Sequence, residues 1–109
     1  MDNHAIVVAD KSGVIQLWNT GAEKLIGYTA KDAVGQTLDL IVADEFREHH
    51  WNGFRRAMET GSAKSEGHSN EIPVRCRDGR VVAFPGLFVL LRDANMDVIG
   101  AMAIFSSAG

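Results

Sequence analysis

The side chains with the greatest chemical potential in this 109-residue sequence are four histidines and a single cysteine. His49 and His50 fall in the stretch 44–59, whose apolar residues Phe46, Phe54, Ala57 and Met58 recur at helical steps. His50 stands four residues after Phe46 and four before Phe54, so it joins the apolar stripe and points into the domain. His49 is turned about 100° away, toward the rim. Gly53 leaves an unfilled patch beside the His50 imidazole, room for a flat cofactor or for a neighbouring strand. An inward imidazole of this kind reads, by position alone, as a core residue bonded to a carbonyl or hydroxyl. By position alone, His68 reads as a solvated residue in the loop before a strand, and His4 as a terminal surface residue.

Other chemistries find no support. The sequence has no phosphate-cradling glycine loop, no nucleophile elbow and no His-Glu-x-x-His. Asp44, Glu45 and Glu48 read as solvated first-turn acids that favour the helix dipole. Arg75, Arg77 and Arg80 read as one solvated cluster near a turn. No catalysis is expected. One cysteine excludes an intrachain disulfide framework and a cysteine-rich zinc site. Eleven basic against fourteen acidic residues, a net charge of −3 with the signs interspersed, argue against a nucleic-acid surface. The mostly apolar run 81–91 contains Pro85-Gly86 and falls short of the ~20 residues that span a bilayer. The first residues lack the basic and apolar segments of a signal peptide. A cytoplasmic protein without membrane or nucleic-acid partners is expected.

The elements that must position these residues follow from the punctuation. Two short β-type runs, 6–9 and 14–18, flank the turn residues Asp10-Lys11-Ser12-Gly13, a hairpin. Thr20 and Glu23 have capping-box spacing before a short helix that stops at Gly27; Thr29 and Asp32 repeat it before Gly35. One long helix over 44–59 is closed by Thr60-Gly61. A strand over 71–77 places Ile72, Val74 and Cys76 on one side, and Asp78-Gly79 turns it into a strand over 80–91. Residues 93–95 form the next loop, and 98–105 the last strand. Pro85 predicts a bulge or an edge in its strand, because proline cannot donate to a ladder. The order β-β-α-α-α-β-β-β gives an α+β fold, an antiparallel sheet with helices on one side. It makes one domain over residues 1–109, its core about 4–105.

This order, with these residues, resembles the PAS sensor-domain family. The residues that carry it are Asp10-x-x-Gly13, Trp18-Asn19, Ala22-Glu23-Lys24-Leu25-Ile26-Gly27-Tyr28, Val34-Gly35-Gln36, Leu38-Asp39-Leu40-Ile41, Thr60-Gly61, Arg77-Asp78-Gly79 and Gly100 in the last strand. The chain departs from many relatives in ending on Ser106-Ser107 where they carry Arg-Asp. The resemblance implies a five-stranded sheet and a sensing role, and it is nearest to the haem-binding PAS domains of bacterial oxygen and redox sensors. In those the iron ligand is a histidine on the long helix, and the match falls on His50, eleven residues before Gly61. The run Glu66-Gly67-His68-Ser69-Asn70-Glu71 resembles their Glu-Gly-Met-Ser-Arg-Glu, whose methionine is a sixth iron ligand. His68, eighteen residues after His50, thereby becomes the candidate distal ligand.

The implied cofactor is haem b, held by His50 and His68. The family's distal arginine falls at Asn70, a shorter, neutral donor, so a site responding to redox state, CO or NO is expected rather than a simple oxygen sensor. Phe54 and Gly53 would border the cofactor, and Ile72, Val74, Leu90, Met102 and Ile104 would wall the cavity; without cofactor the same residues would be core. Flavin-adduct PAS photosensors carry their cysteine on the long helix in Asn-Cys-Arg-Phe-Leu-Gln, which is absent here. The implied partners are a second copy, through the sheet and N-terminal segment, and an output domain or partner protein. Trp18, Phe84 and Phe88 belong either to that outer face or to the core. The alternatives are a cofactor-free PAS interaction and dimerisation module, and a PAS domain that holds a small organic metabolite.

Overall fold

The computed structural model describes residues 4–107. Strand β1 (Ala5–Asp10) turns into β2 (Ile15–Trp18) through Asp10, whose carboxylate accepts from the backbone N–H groups of Ser12 (2.9 Å) and Val14 (3.0 Å). Helix α1 spans Thr20–Ile26 and α2 Ala30–Ala33. A 3-10 turn at Leu38–Leu40 and another at Asp44–Phe46 lead into α3 (Arg47–Thr60), which ends at Gly61 in the left-handed conformation, φ 73°. Strands β3 (Asn70–Arg75), β4 (Val81–Arg92) and β5 (Val98–Phe105) complete an antiparallel sheet of order β2-β1-β5-β4-β3. The expected α+β architecture stands, with the helices on one face.

Alternation sorts the side chains. Ala5, Val7, Trp18, Val74, Phe84 and Phe105 face the helices and form the larger core cluster with Ala22, Ile26 and Cys76. Ala57 and Met58 of α3 form a second cluster with Leu90 and Val98, and Phe54 and Phe88 pack against it. Trp18, Phe84 and Phe88 are thus on the inner face. Ile72, Val74 and Cys76 share that face, as the sequence predicts.

Four local expectations are corrected. The N-cap of α1 is Asn19, not Thr20. Its carboxamide oxygen accepts from Ala22 N–H (2.9 Å) and Ile6 N–H (2.8 Å), and its nitrogen donates to His4 O (3.0 Å). One amide that serves three backbone groups outcompetes a hydroxyl. Glu23 does not reach back; its carboxylate accepts from Ala30 N–H (2.7 Å) at the start of α2, where orphan donors need an acceptor. The long helix begins at Arg47 rather than 44, so Phe46, in the 3-10 turn, leaves the apolar stripe and is 38% exposed. Pro85 makes no bulge: it sits in β4, an interior strand, opposite Glu71, the register shift lies at Leu91/Arg92, and the edge it needs is only local. Its carbonyl accepts from Ser106 N–H (3.0 Å). Its nitrogen therefore also faces the β5 side, beyond the last paired residue Phe105, where no ladder bond is required.

Candidate haem site on helix α3

Helix α3 is anchored by Ala57 and Met58, which packing with Leu90 and Val98 buries. One to two turns toward its N-terminus the same side carries Phe54 and His50. The two rings stack, with centroids 5.9 Å apart and planes at 29°. Trp51 adds an edge contact to His50 at 4.9 Å and 74°, and another to Phe54 at 5.4 Å. His50 Nδ1 is shielded from solvent and has no hydrogen-bond partner. Burial pushes the His50 pKa below its ordinary value, Asp39 opposes the shift, and neighbouring His49 adds to it. The imidazole is therefore neutral at pH 7, the state in which it can accept a metal bond. His49 is exposed, and Gly53 faces open space, with nothing within 4 Å of where a Cβ would stand.

The sheet brings some of the expected wall residues to this side and not others. Val74 is buried and Ile72 half-buried in the larger cluster, while Leu90 packs on α3. Met102 and Ile104 are corrected. Ile104 pairs with Ile6 and Leu87, and Met102 with Val8 and Val89, on the face away from the helices. Phe105 takes the inward position, and alternation then gives the other inward places to Ala103 and Ala101.

His68 and Asn70 are exposed, and the Asn70 carboxamide accepts from Glu71 N–H (3.1 Å). The loop that carries His68 is fastened along the free edge of β4, and Asn70 opens β3. Gly67 N–H donates to Phe88 O (2.9 Å), and the Glu66 carboxylate accepts from Leu90 N–H (2.7 Å). Arg92 stands 3.7 Å from that carboxylate and donates to Gly61 O (2.7 Å). Glu66 and Gly67 thus imitate a strand where β3 has ended.

Two residues with clear roles here escape sequence reasoning. Trp51 Nε1 donates to Asp39 Oδ1 (2.6 Å), and Arg47 stands 3.2 Å from the same oxygen. Arg75 does not join the Arg77 and Arg80 turn. It reaches over the sheet edge to donate to Asp39 O (3.0 Å) and Leu40 O (3.4 Å). Only the Leu38-Asp39-Leu40 motif hinted that this turn matters.

The remaining chemistry is quiet. The Cys76 thiol is buried and lies 3.7 Å from Leu25 O; burial raises its pKa, Asp78 raises it further and Arg80 opposes. Among the described residues no three His, Cys, Asp or Glu side chains gather around one point. Two open grooves lie away from His50. One of about 440 Å³ runs between the end of α1 and the Asp78-Gly79 turn; one of about 250 Å³ lies beside Pro85, Gly86 and Ile104.

The sequence matches the family model of the PAS fold over residues 3–107. The chain belongs to the PAS fold family. Among curated proteins, this PAS domain is 30% identical over 73 residues to the oxygen sensor protein DosP of Escherichia coli, which covers 67% of this chain and 9% of that protein. It is 31% identical over 75 residues to the sensor protein FixL of Bradyrhizobium diazoefficiens, covering 69% of this chain and 15% of that protein. The chain therefore spans a small part of the relatives it matches. Among solved structures, a PAS domain from Colwellia psychrerythraea superposes with a TM-score of 0.81 at 28% identity, covering 97% of this chain and 86% of that one. No helix among the described residues is long and apolar enough to cross a membrane.

Proposed function

We propose that this PAS domain is a sensory module that holds haem b through His50 and responds to redox state or to a diatomic gas such as CO or NO. The observation that carries the reading is the His50 imidazole: neutral, inward, stacked on Phe54, with a shielded Nδ1 that has no partner in the protein. A buried polar atom left unpaired costs about 1–3 kcal/mol, so an imidazole kept in that state calls for a functional explanation. The likeness to proteins named as an oxygen sensor and a sensor supports it.

In this reading Phe54 and Gly53 border the cofactor, and Ile72, Val74 and Leu90 keep water from it. His68, in the loop before β3, and Asn70, the first residue of β3, approach as distal ligand and donor. Met102 and Ile104, on the other face, are not part of the site. Haem supplies an iron whose outer coordination position can exchange and whose oxidation state can change. The chain's own residues convert that into a signal. His68 sits directly after the Glu66-Gly67 fastening, so its displacement pulls on the edge of β4 at Phe88 and Leu90. β4 pairs with β5 from Gly86 to Arg92, the stretch that holds Phe88 and Leu90, so the sheet shares the strain.

The outer face of the sheet is the reading's output surface. Leu17 (45% exposed) and Val81 (45%) lie with half-buried Ile6, Val8, Leu87, Val89, Met102 and Ile104 in an apolar expanse. A second copy or an output domain would cover it. Residues 1–3 of the N-terminal segment expected to join the dimer lie outside the described residues. The test is an absorption spectrum of the purified, haemin-supplemented protein. A Soret band that is lost in His50→Ala is expected; no band, or one unchanged by the substitution, sinks the reading. In the reduced state His68→Ala should convert six-coordinate iron to five-coordinate, and an unchanged spectrum removes His68 from the site.

A further inference from the structure

We propose that Asp39 and Trp51 are positioning residues for His50: the indole, pinned by the Asp39 carboxylate and seated on Gly13, braces the imidazole in one orientation. This rests on the haem reading for its purpose, but its geometry stands without it.

Adjacent residues on a helix diverge by about 100°, so Trp51 has no helical reason to touch His50. It does so at 4.9 Å and 74° because two other elements capture the indole. Its Nε1 donates to Asp39 Oδ1 at 2.6 Å, a hydrogen bond to a charged acceptor and so a strong one. Its far edge lies where a side chain at position 13 would be: a Cβ on Gly13 would stand 2.3 Å from Trp51 Cη2 and 2.5 Å from Cζ3. Phe54 closes the other side, stacked on His50 and edge-on to Trp51.

Asp39 is itself a fixed post. Arg47 stands at its carboxylate (3.2 Å), Arg75 donates to its carbonyl (3.0 Å), and its N–H donates to Thr37 Oγ1 (3.3 Å). Metal-binding histidines usually take their orientation from a hydrogen bond at the second ring nitrogen. The shielded Nδ1 of His50 has no such bond, so ring packing must do the orienting. A simple core filler in place of Trp51 would need neither the carboxylate nor the glycine seat.

The test uses the 109-residue chain with Asp39→Ala, Asp39→Asn and Trp51→Phe. The first reading is cofactor-free NMR: nuclear Overhauser contacts from the His50 ring to the residue-51 ring. They should be lost in Asp39→Ala and Trp51→Phe and retained in Asp39→Asn, which keeps an accepting oxygen. The second is haemin affinity, expected to fall about tenfold in the first two variants and to stay within about twofold in the third. Wild-type ring contacts and haemin affinity in Asp39→Ala overturn the proposal, as does an Asp39→Asn protein as impaired as Asp39→Ala. Should Asp39→Ala fail to fold, Trp51→Phe decides in its place. If the wild-type chain takes up no haemin, the haem reading falls and the ring contacts alone decide the brace.

Discussion

Replacing Gly13 by alanine perturbs the brace from the side opposite His50, and its size follows from two separate effects. The first is backbone: Gly13 has φ +83°, and an L-residue held in the left-handed region costs about 1–2 kcal/mol. The second is steric. The new Cβ would stand 2.3 Å from Trp51 Cη2, more than an ångström inside ordinary contact, so the indole must move. It cannot do so freely while Nε1 is held by Asp39 at 2.6 Å. Overpacking of this kind costs about 1–3 kcal/mol, for a total of about 2–5 kcal/mol. Gly35 provides the control: its φ is +96° with nothing within 4 Å of a Cβ, so Gly35→Ala carries the backbone cost alone. Urea denaturation of the two variants should separate them by the steric difference, about 1–3 kcal/mol. Thermal melts should place Gly13→Ala lower by roughly 4–12 °C, at about 4 °C per kcal/mol for a domain of this length. Adding Trp51→Ala should make the extra cost vanish, since its cause is then gone. Equal destabilisation by the two alanines, or a steric cost that persists without Trp51, refutes the reasoning.

Three further outcomes follow from the structure. His50 has a folded-state pKa below its unfolded value of 6.5, so below that pH the unfolded chain binds the extra proton; stability should fall as pH drops through 6.5 and on to the folded value, and His50→Gln should flatten that slope in urea titrations from pH 7.5 to 5. The Cys76 thiol, buried and raised in pKa, should react with a disulfide reagent much more slowly in the native protein than in urea; equal rates contradict its placement. Glu66→Ala removes the acceptor of Leu90 N–H. It should cost about 1–2 kcal/mol, discounted for partial exposure, and should speed hydrogen exchange at Leu90; an unchanged exchange rate means the loop does not protect that edge.

Much of the fold was legible because local chemistry and tertiary structure agree. Gly61 closes α3, Asp78-Gly79 turns β3 into β4, and His50 falls on the helix's inner side by spacing alone. Most of the failures share a physical cause, in that they were decided by a partner distant in sequence. Trp51 points inward because Asp39, twelve residues earlier, holds its N–H. Asn19 outranks Thr20 as the cap because β1 also needs its amide. Arg75 leaves its apparent cluster for carbonyls at 39 and 40. Met102 and Ile104 look like wall residues by type, but Phe105 fixes the parity of β5 and turns them outward. Apolar type names candidates for a cavity; only register says which face they occupy.

The central claim, that His50 is the residue through which haem is held, is tested most directly by restoring its imidazole from solution. His50→Gly should lose the Soret spectrum of the haemin-supplemented wild type, and free imidazole should bring back the same band positions while leaving His49→Gly unaffected. Retention of the wild-type spectrum by His50→Gly without imidazole contradicts the account.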